Sequence, residues 1–184
     1  MKNLLLLFLT LITCSAFAQN DKPQSRLDAI GLETQVYPAG NMVNLKASWL
    51  SGERGRLIGK LGYNFARRKD FGKHDLEEGG GPGLAVAYRQ YFNHKWSNFF
   101  IEGRASTWFL DIDWQDNSPS RMGNTDITVF QPTLAIGYDW ATKNDKINFN
   151  ILIGFGYEVN VITSGEGVGE GGISLLGLSV DFRL

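Results

Sequence analysis

Ile147-Asn148-Phe149-Asn150-Ile151-Leu152-Ile153-Gly154-Phe155-Gly156-Tyr157-Glu158-Val159 is the stretch whose reading decides the fold. Ile147, Phe149, Ile151, Ile153, Phe155, Tyr157 and Val159 alternate with Asn148, Asn150, Gly154, Gly156 and Glu158. Successive side chains of an extended chain point to opposite faces. A period of two therefore predicts a β-strand with one apolar and one polar side.

Seven further segments repeat the period on either side of this one. After it come Leu176, Leu178, Val180, Phe182 and Leu184. Before it come Phe130, Pro132, Leu134, Ile136, Tyr138 and Trp140, and before those Phe99, Ile101, Gly103, Ala105 and Thr107. Leu84, Val86, Tyr88, Gln90 and Phe92 form the fourth row, and Leu57, Gly59, Leu61, Tyr63 and Phe65 the third. Val43, Leu45, Ala47 and Trp49 form the second, and Ile30, Leu32, Thr34 and Val36 the first. Two irregularities stand out. The phase blurs from Trp108 to Trp114, which predicts a bulge. Pro132 lacks an N–H, which predicts a bulge or a lost ladder bond there.

The apolar rows contain no charged side chain, whereas the opposite faces hold Glu33, Glu102, Asp139, Glu158 and Asp181 against Lys46, Lys60, Arg89, Arg104 and Arg183. Hydrocarbon imposes that asymmetry, because Lys or Arg facing the bilayer midplane costs roughly 2–4 kcal/mol. The polar faces then line a narrow lumen in which buried charges must find partners. Glu33, Lys46, Lys60, Arg89, Glu102, Arg104 and Glu158 are its expected charge network. Eight strands leave an interior about filled by side chains, so no open pore is expected.

Connection lengths alternate. Leu50 to Arg56, Asn93 to Asn98 and Ala141 to Lys146 are short. Ala66 to Gly83, Asp113 to Asn124 and Asn160 to Gly172 are long, and only Pro38 to Gly40 breaks the rule. Tight turns on one rim and long loops on the other are the habit of outer-membrane barrels, with both termini on the periplasmic side. Bare strand edges are intolerable in hydrocarbon, so the eighth strand should close on the first. Trp49, Tyr88, Phe92, Tyr138, Trp140 and Phe182 fall toward one rim, and Tyr63, Phe65, Phe130, Phe155 and Tyr157 toward the other, as two aromatic girdles.

The chain opens with Lys2, an apolar run from Leu4 to Ile12, and Ala16-Phe17-Ala18-Gln19. This reads as a signal peptide over 1–18, cut before Gln19, and leaves one barrel domain over 19–184. The sole cysteine, Cys14, lies in the leader, so no thiol chemistry is expected afterwards. Eighteen basic residues against 19 acidic form no basic stripe, which argues against nucleic acid.

On these rows and loops the chain resembles the small eight-stranded outer-membrane barrels typified by OmpX, PagP, PagL and the OmpA membrane domain. The last strand, Leu176 to Leu184 with Phe182 near its end, is similar to the signal read by the barrel-assembly machinery, although it ends in Leu184 rather than an aromatic. Gly62-Tyr63-Asn64-Phe65 and Tyr88-Arg89-Gln90-Tyr91-Phe92 resemble stretches in barrels of Bacteroidota. The resemblance implies an all-β, eight-stranded antiparallel up-and-down transmembrane barrel in the cell outer membrane of a Gram-negative bacterium. It implies outer-membrane lipids and lipopolysaccharide as surroundings, the assembly machinery as a partner during insertion, and a monomer.

No catalytic, metal or cofactor residue is assigned. His94, three residues before Ser97, departs from the His and Ser two apart of the lipid A deacylase in this class, and no acid or oxyanion donor accompanies it. His74 reads as a solvated loop residue. Asp75, Glu77, Glu78, Asp111, Asp113, Asp116, Glu166 and Glu170 match no calcium-loop spacing and read as solvated acids. Arg67, Arg68, Lys69 and Lys73 read as loop charge. Gly165-Glu166-Gly167-Val168-Gly169 precedes a strand, not a helix, so it holds no phosphate. The expected role is structural or surface-interacting and non-enzymatic. A lipid A-modifying enzyme is the alternative, and a secreted lipocalin-like binder with apolar faces turned inward is a third.

Overall fold

The computed structural model describes residues 26–70, 72–92 and 99–184. The expected leader with Cys14, and His94 with the short connection expected around it, lie outside them. Each apolar row lies on a strand and points outward: Leu45 is 63 % exposed, Leu61 64 % and Phe155 68 %. The intervening polar residues point inward, with Glu102 and Asp139 both at 0 %. The strands are β1 (Leu27–Tyr37), β2 (Gly40–Ser51), β3 (Gly55–Lys69), β4 (Leu76–Tyr91), β5 (Phe99–Asn117), β6 (Ser120–Ala141), β7 (Ile147–Ser164) and β8 (Gly171–Arg183). Each pairs with the next, and β8 returns to β1 from Ala29↔Arg183 to Val36↔Leu176. The result is an eight-stranded antiparallel up-and-down barrel of the transmembrane type. Closure leaves no sheet edge along the apolar belt, where unpaired N–H and C=O groups would meet no water.

Aromatic rings collect on the belt near the rim that carries the termini. Phe99 meets Tyr138 at 4.8 Å, and Tyr138, Trp140 and Phe149 continue the series. Trp49 lies over Gly59 on the neighbouring strand and covers the backbone that the missing side chain exposes.

The far rim differs from expectation. Three spans expected as long loops are mostly paired strand. The β3–β4 ladder runs to Lys69↔Leu76, so Gly79-Gly80-Gly81-Pro82-Gly83 lies inside β4. Glycines carry no side-chain period, which hid the strand, and their lack of bulk admits the neighbour: a Cβ at Gly81 would collide with the Phe109 carbonyl. The β5–β6 ladder runs unbroken from Phe99↔Tyr138 to Asn117↔Ser120. The expected bulge between Trp108 and Trp114 is therefore absent. Trp108, Leu110, Ile112 and Trp114 all point inward and are buried, while Asp111, Asp113 and Gln115 point outward, so the apolar and polar faces exchange sides without any break in the ladder.

The irregularity sits one ladder over. Thr128 pairs with Ile162 but Val129 with Asn160, which leaves Val161 as the extra residue of a bulge. The β6–β7 ladder also lapses between Phe130↔Val159 and Thr133↔Gly156, where Pro132 supplies no donor.

Wall heights are unequal. β1 has 11 residues, whereas β5, β6 and β7 have 19, 22 and 18. A tilted strand crosses a bilayer in ~9–11 residues, so the β5–β7 wall outruns the hydrocarbon and β1 does not.

Candidate functional site

Two clusters occupy the inside of the barrel. The first sits at mid-height. β1 and β5 bring in Glu33 and Glu102, and β3 brings Lys60, whose Nζ lies 2.8 Å from Glu33 Oε1 and 3.2 Å from Glu102 Oε1. Arg104 Nη2 lies 2.6 Å from the same Glu102 oxygen and 3.4 Å from Glu33 Oε1. Arg89 takes the other Glu102 oxygen at 2.7 Å and reaches Asp139 at 3.3 Å. The Tyr91 hydroxyl donates to Asp139, and the Arg89 guanidinium lies 3.7 Å above the Phe100 ring. Lys60, Arg89 and Arg104 thus offset Glu33, Glu102 and Asp139 around the circumference. Each of these buried charges has an opposite charge within reach, which offsets the cost of removing it from water.

Of the seven expected network residues, Glu33, Lys60, Arg89, Glu102 and Arg104 come together here. Lys46 instead pairs with Asp181 at 3.0 Å and donates to Ser179 at 2.6 Å. Glu158 lies higher and accepts from Arg68 at 2.7 Å. Arg183, expected on the lumen side, reaches the Asp145 carbonyl near the terminal rim instead.

The second cluster caps the far end. Arg68 bridges Glu158 and Glu77, the latter at 3.1 Å. Glu77 also accepts the backbone N–H groups of Lys73, His74 and Gly169, so one carboxylate ties the β3–β4 turn to the β7–β8 connection. His74 is buried, not solvated as its loop position suggested. Its ring stacks on Trp114 at 4.0 Å with planes 13° apart. Nδ1 lies 3.1 Å from Asp116 and Nε2 lies 3.2 Å from the Gly167 carbonyl. Trp114 donates to Thr125, whose hydroxyl donates to the Glu166 carbonyl. Arg121 reaches Asp116 at 2.9 Å and Glu166 at 3.4 Å. The His74 hydrogen bond first, then Arg121, holds the Asp116 carboxyl below the usual carboxylate range. Asp116 and Glu166 in turn push the Arg121 guanidinium up.

Of the acids read as solvated, Glu77 and Asp116 thus serve the cap. Asp75 accepts from the Asn117 backbone and side chain, and Glu170 accepts the Asn160 backbone N–H. Glu78 pairs loosely with Arg67 on the outer face. Asp111 and Asp113 also face outward, and Asn124 donates to both. The cap escaped sequence reading because His74, Trp114, Glu77 and Gly169 come from four separate stretches. The inward tryptophan that covers His74 lies on the half-strand whose apolar face is turned to the lumen, the reverse of the other rows. Among the described residues, no three or more His, Cys, Asp or Glu side chains are arranged to hold a metal ion.

No family model matches the chain, and no curated protein matches it. Solved structures do share its fold. The N-terminal β-barrel domain of Pseudomonas aeruginosa OprF is 14 % identical, with a TM-score of 0.51 over 88 % of this chain and 100 % of that one. Neisserial surface protein A is 9 % identical, with a TM-score of 0.53 over 85 % of this chain and 97 % of that one. Both are small outer-membrane β-barrels, and at these identities the likeness is one of fold.

Proposed function

We propose, on the premise of a fold shared with outer-membrane barrels, that this chain is an integral outer-membrane protein of a Gram-negative bacterium. The stretches Gly62–Phe65 and Tyr88–Phe92 fit a source among the Bacteroidota. Its role is structural and surface-interacting, without catalysis and without a standing pore. The far rim meets lipopolysaccharide and external molecules, and the assembly machinery reads β8 during insertion.

One observation carries this reading: the molecule is inverted relative to a water-soluble barrel. Along the belt its charges, such as Glu33, Lys60, Arg89 and Glu102, are inside and paired, and rows of leucine, isoleucine and aromatic side chains are outside. A lipocalin-like binder needs the opposite arrangement, so that alternative loses its basis. Insertion removes the outer belt from water at ~25 cal/mol per Å² of apolar surface, while the lumen charges keep the partners they already have.

The test is cell fractionation with electrophoresis of boiled and unboiled samples. The protein is expected in the outer-membrane fraction, migrating differently before heating. Recovery as a detergent-free monomer from periplasmic fluid would overturn the assignment. Mass spectrometry of lipid A from cells with and without the gene should give identical species. A lost or added acyl chain or substituent would install the enzyme reading instead.

A further inference from the structure

Two adjacent rows of outward side chains cross the barrel wall from β3 to β7, just below the far rim. The lower row reads Tyr63, Pro82, Phe109, Thr128, Ile162, linked strand to strand through Tyr63↔Pro82, Phe109↔Thr128 and Thr128↔Ile162. The upper row reads Gly80, Asp111, Asp126, linked through Gly80↔Asp111 and Asp111↔Asp126. Between the rows runs a groove of about 380 Å³.

Three separate features of the sequence make this groove. Gly80 lacks the side chain that would fill its upper row, and Tyr63 lies over the gap. The β7 bulge at Val161 reverses the alternation. Below it odd-numbered residues face out, whereas beyond it Ile162 does, 65 % exposed. Had the alternation continued unbroken through Val161, Ile162 would point into the lumen. Finally, Asp111 and Asp126 oppose each other directly across the ladder, both exposed. Like charges at such positions repel. Among the described residues neither carboxylate has an ion-pair partner, in contrast to the acids of the lumen. An apolar trough capped by two facing carboxylates complements a molecule with a hydrocarbon chain and a cationic head.

We propose that this groove seats one chain of an amine-headed lipid of the surrounding leaflet, with its ammonium group between Asp111 and Asp126. The groove faces the hydrocarbon and opens at headgroup height, so a lipid reaches it without leaving the bilayer. An ammonium donates to both carboxylates at once and removes their repulsion. Charge-assisted hydrogen bonds of this kind are about twice as strong as neutral ones. The inference rests on the membrane assignment above.

The test uses the full folded chain in phosphatidylcholine vesicles. Insertion is first established by the shift in mobility on heating. Spin-labelled stearylamine, stearic acid and phosphatidylcholine are then compared by electron paramagnetic resonance. The amine should show a motionally restricted fraction with roughly tenfold preference over phosphatidylcholine, equivalent to 1.4 kcal/mol. Asp111→Asn with Asp126→Asn should reduce that preference to the level of phosphatidylcholine, and Thr128→Trp should block the groove with the carboxylates intact. Glu78→Gln, elsewhere on the same face, should leave the preference unchanged.

An inserted barrel that prefers the amine no more than phosphatidylcholine would overturn the proposal. So would an unchanged preference in the double Asn variant. Restriction of stearic acid that requires Mg²⁺ and vanishes with a chelator would overturn it in favour of a metal-bridged anion. Failure of the wild-type chain to insert would sink the membrane assignment itself, a separate outcome.

Discussion

Glu102 receives Lys60, Arg89 and Arg104 with none of its surface exposed, so removing its charge strands three cations in the lumen. Glu102→Gln should lower unfolding stability by ~3–5 kcal/mol, the usual cost of breaking a buried ionic cluster. The shift in urea midpoint for the barrel in lipid vesicles measures it, and adding Lys60→Met should recover part of the loss. Asp116 gives a second prediction. Its carboxyl titrates lower when folded than when unfolded, because His74 and Arg121 bond its charged form. The stability it contributes is present above the usual carboxylate range and is lost as pH falls through the lowered value. The protection of the Gly167 and Gly169 amides, measured against their intrinsic exchange rates at each pH, should fall as the medium is acidified, and Asp116→Asn should remove that dependence. These two residues also differ in legibility. Glu102 announces itself as the one acid between Ile101 and Gly103 in an alternating run. The partnership of Asp116 depends on a histidine 42 positions away, which no local pattern connects to it.

At the scale of the element, the far-rim cap hangs on Glu77, which accepts three backbone N–H groups from two connections. An orphaned buried donor costs ~1–3 kcal/mol. Glu77→Ala should therefore raise amide exchange across 72–75 and 165–170 while the ladders of β3, β4, β7 and β8 nearer the other rim keep their protection. Equal loss of protection in those ladders would mean that Glu77 holds the barrel rather than the cap. Strand by strand, the sequence showed the membrane-level half of the fold well. All eight apolar rows face outward with the phase expected of them, because a single solvent rule acts on each. The upper halves were hidden for two physical reasons. The glycines of β4 have no side chain to alternate. In β5, Trp108, Leu110, Ile112 and Trp114 fill the lumen while Asp111, Asp113 and Gln115 face out, so the apolar residues change sides and the reversal reads as a break in the strand. A bulge was expected in the right part of the molecule but on the wrong strand, since Val161 sits in a run where either phase is apolar.

For the whole molecule, the ring of paired charges at mid-height and the cap above it act in series. The protein in planar bilayers should show no steady single-channel steps, because eight strands leave an interior about filled by side chains. Regular unitary currents from the wild-type barrel would refute the plugged lumen. Lys60→Ala combined with Glu33→Ala removes two facing side chains without leaving either charge behind. It is the variant in which intermittent conductance should first emerge. The long connections expected at the far rim proved to be mostly ladder rather than loop.

The height of the β5–β7 wall has a consequence for the cell. Proteases draw a slack, extended length of substrate into their clefts, and a crown built from hydrogen-bonded hairpins offers almost none. At the top of the tallest hairpin only Ser118 and Pro119 lie between paired residues. Among the described residues, the other segments between ladders at this rim are 38–39, 72–75 and 165–170. A rim so finished should resist limited proteolysis, with first cleavage expected within 165–170 rather than at the β5–β6 hairpin.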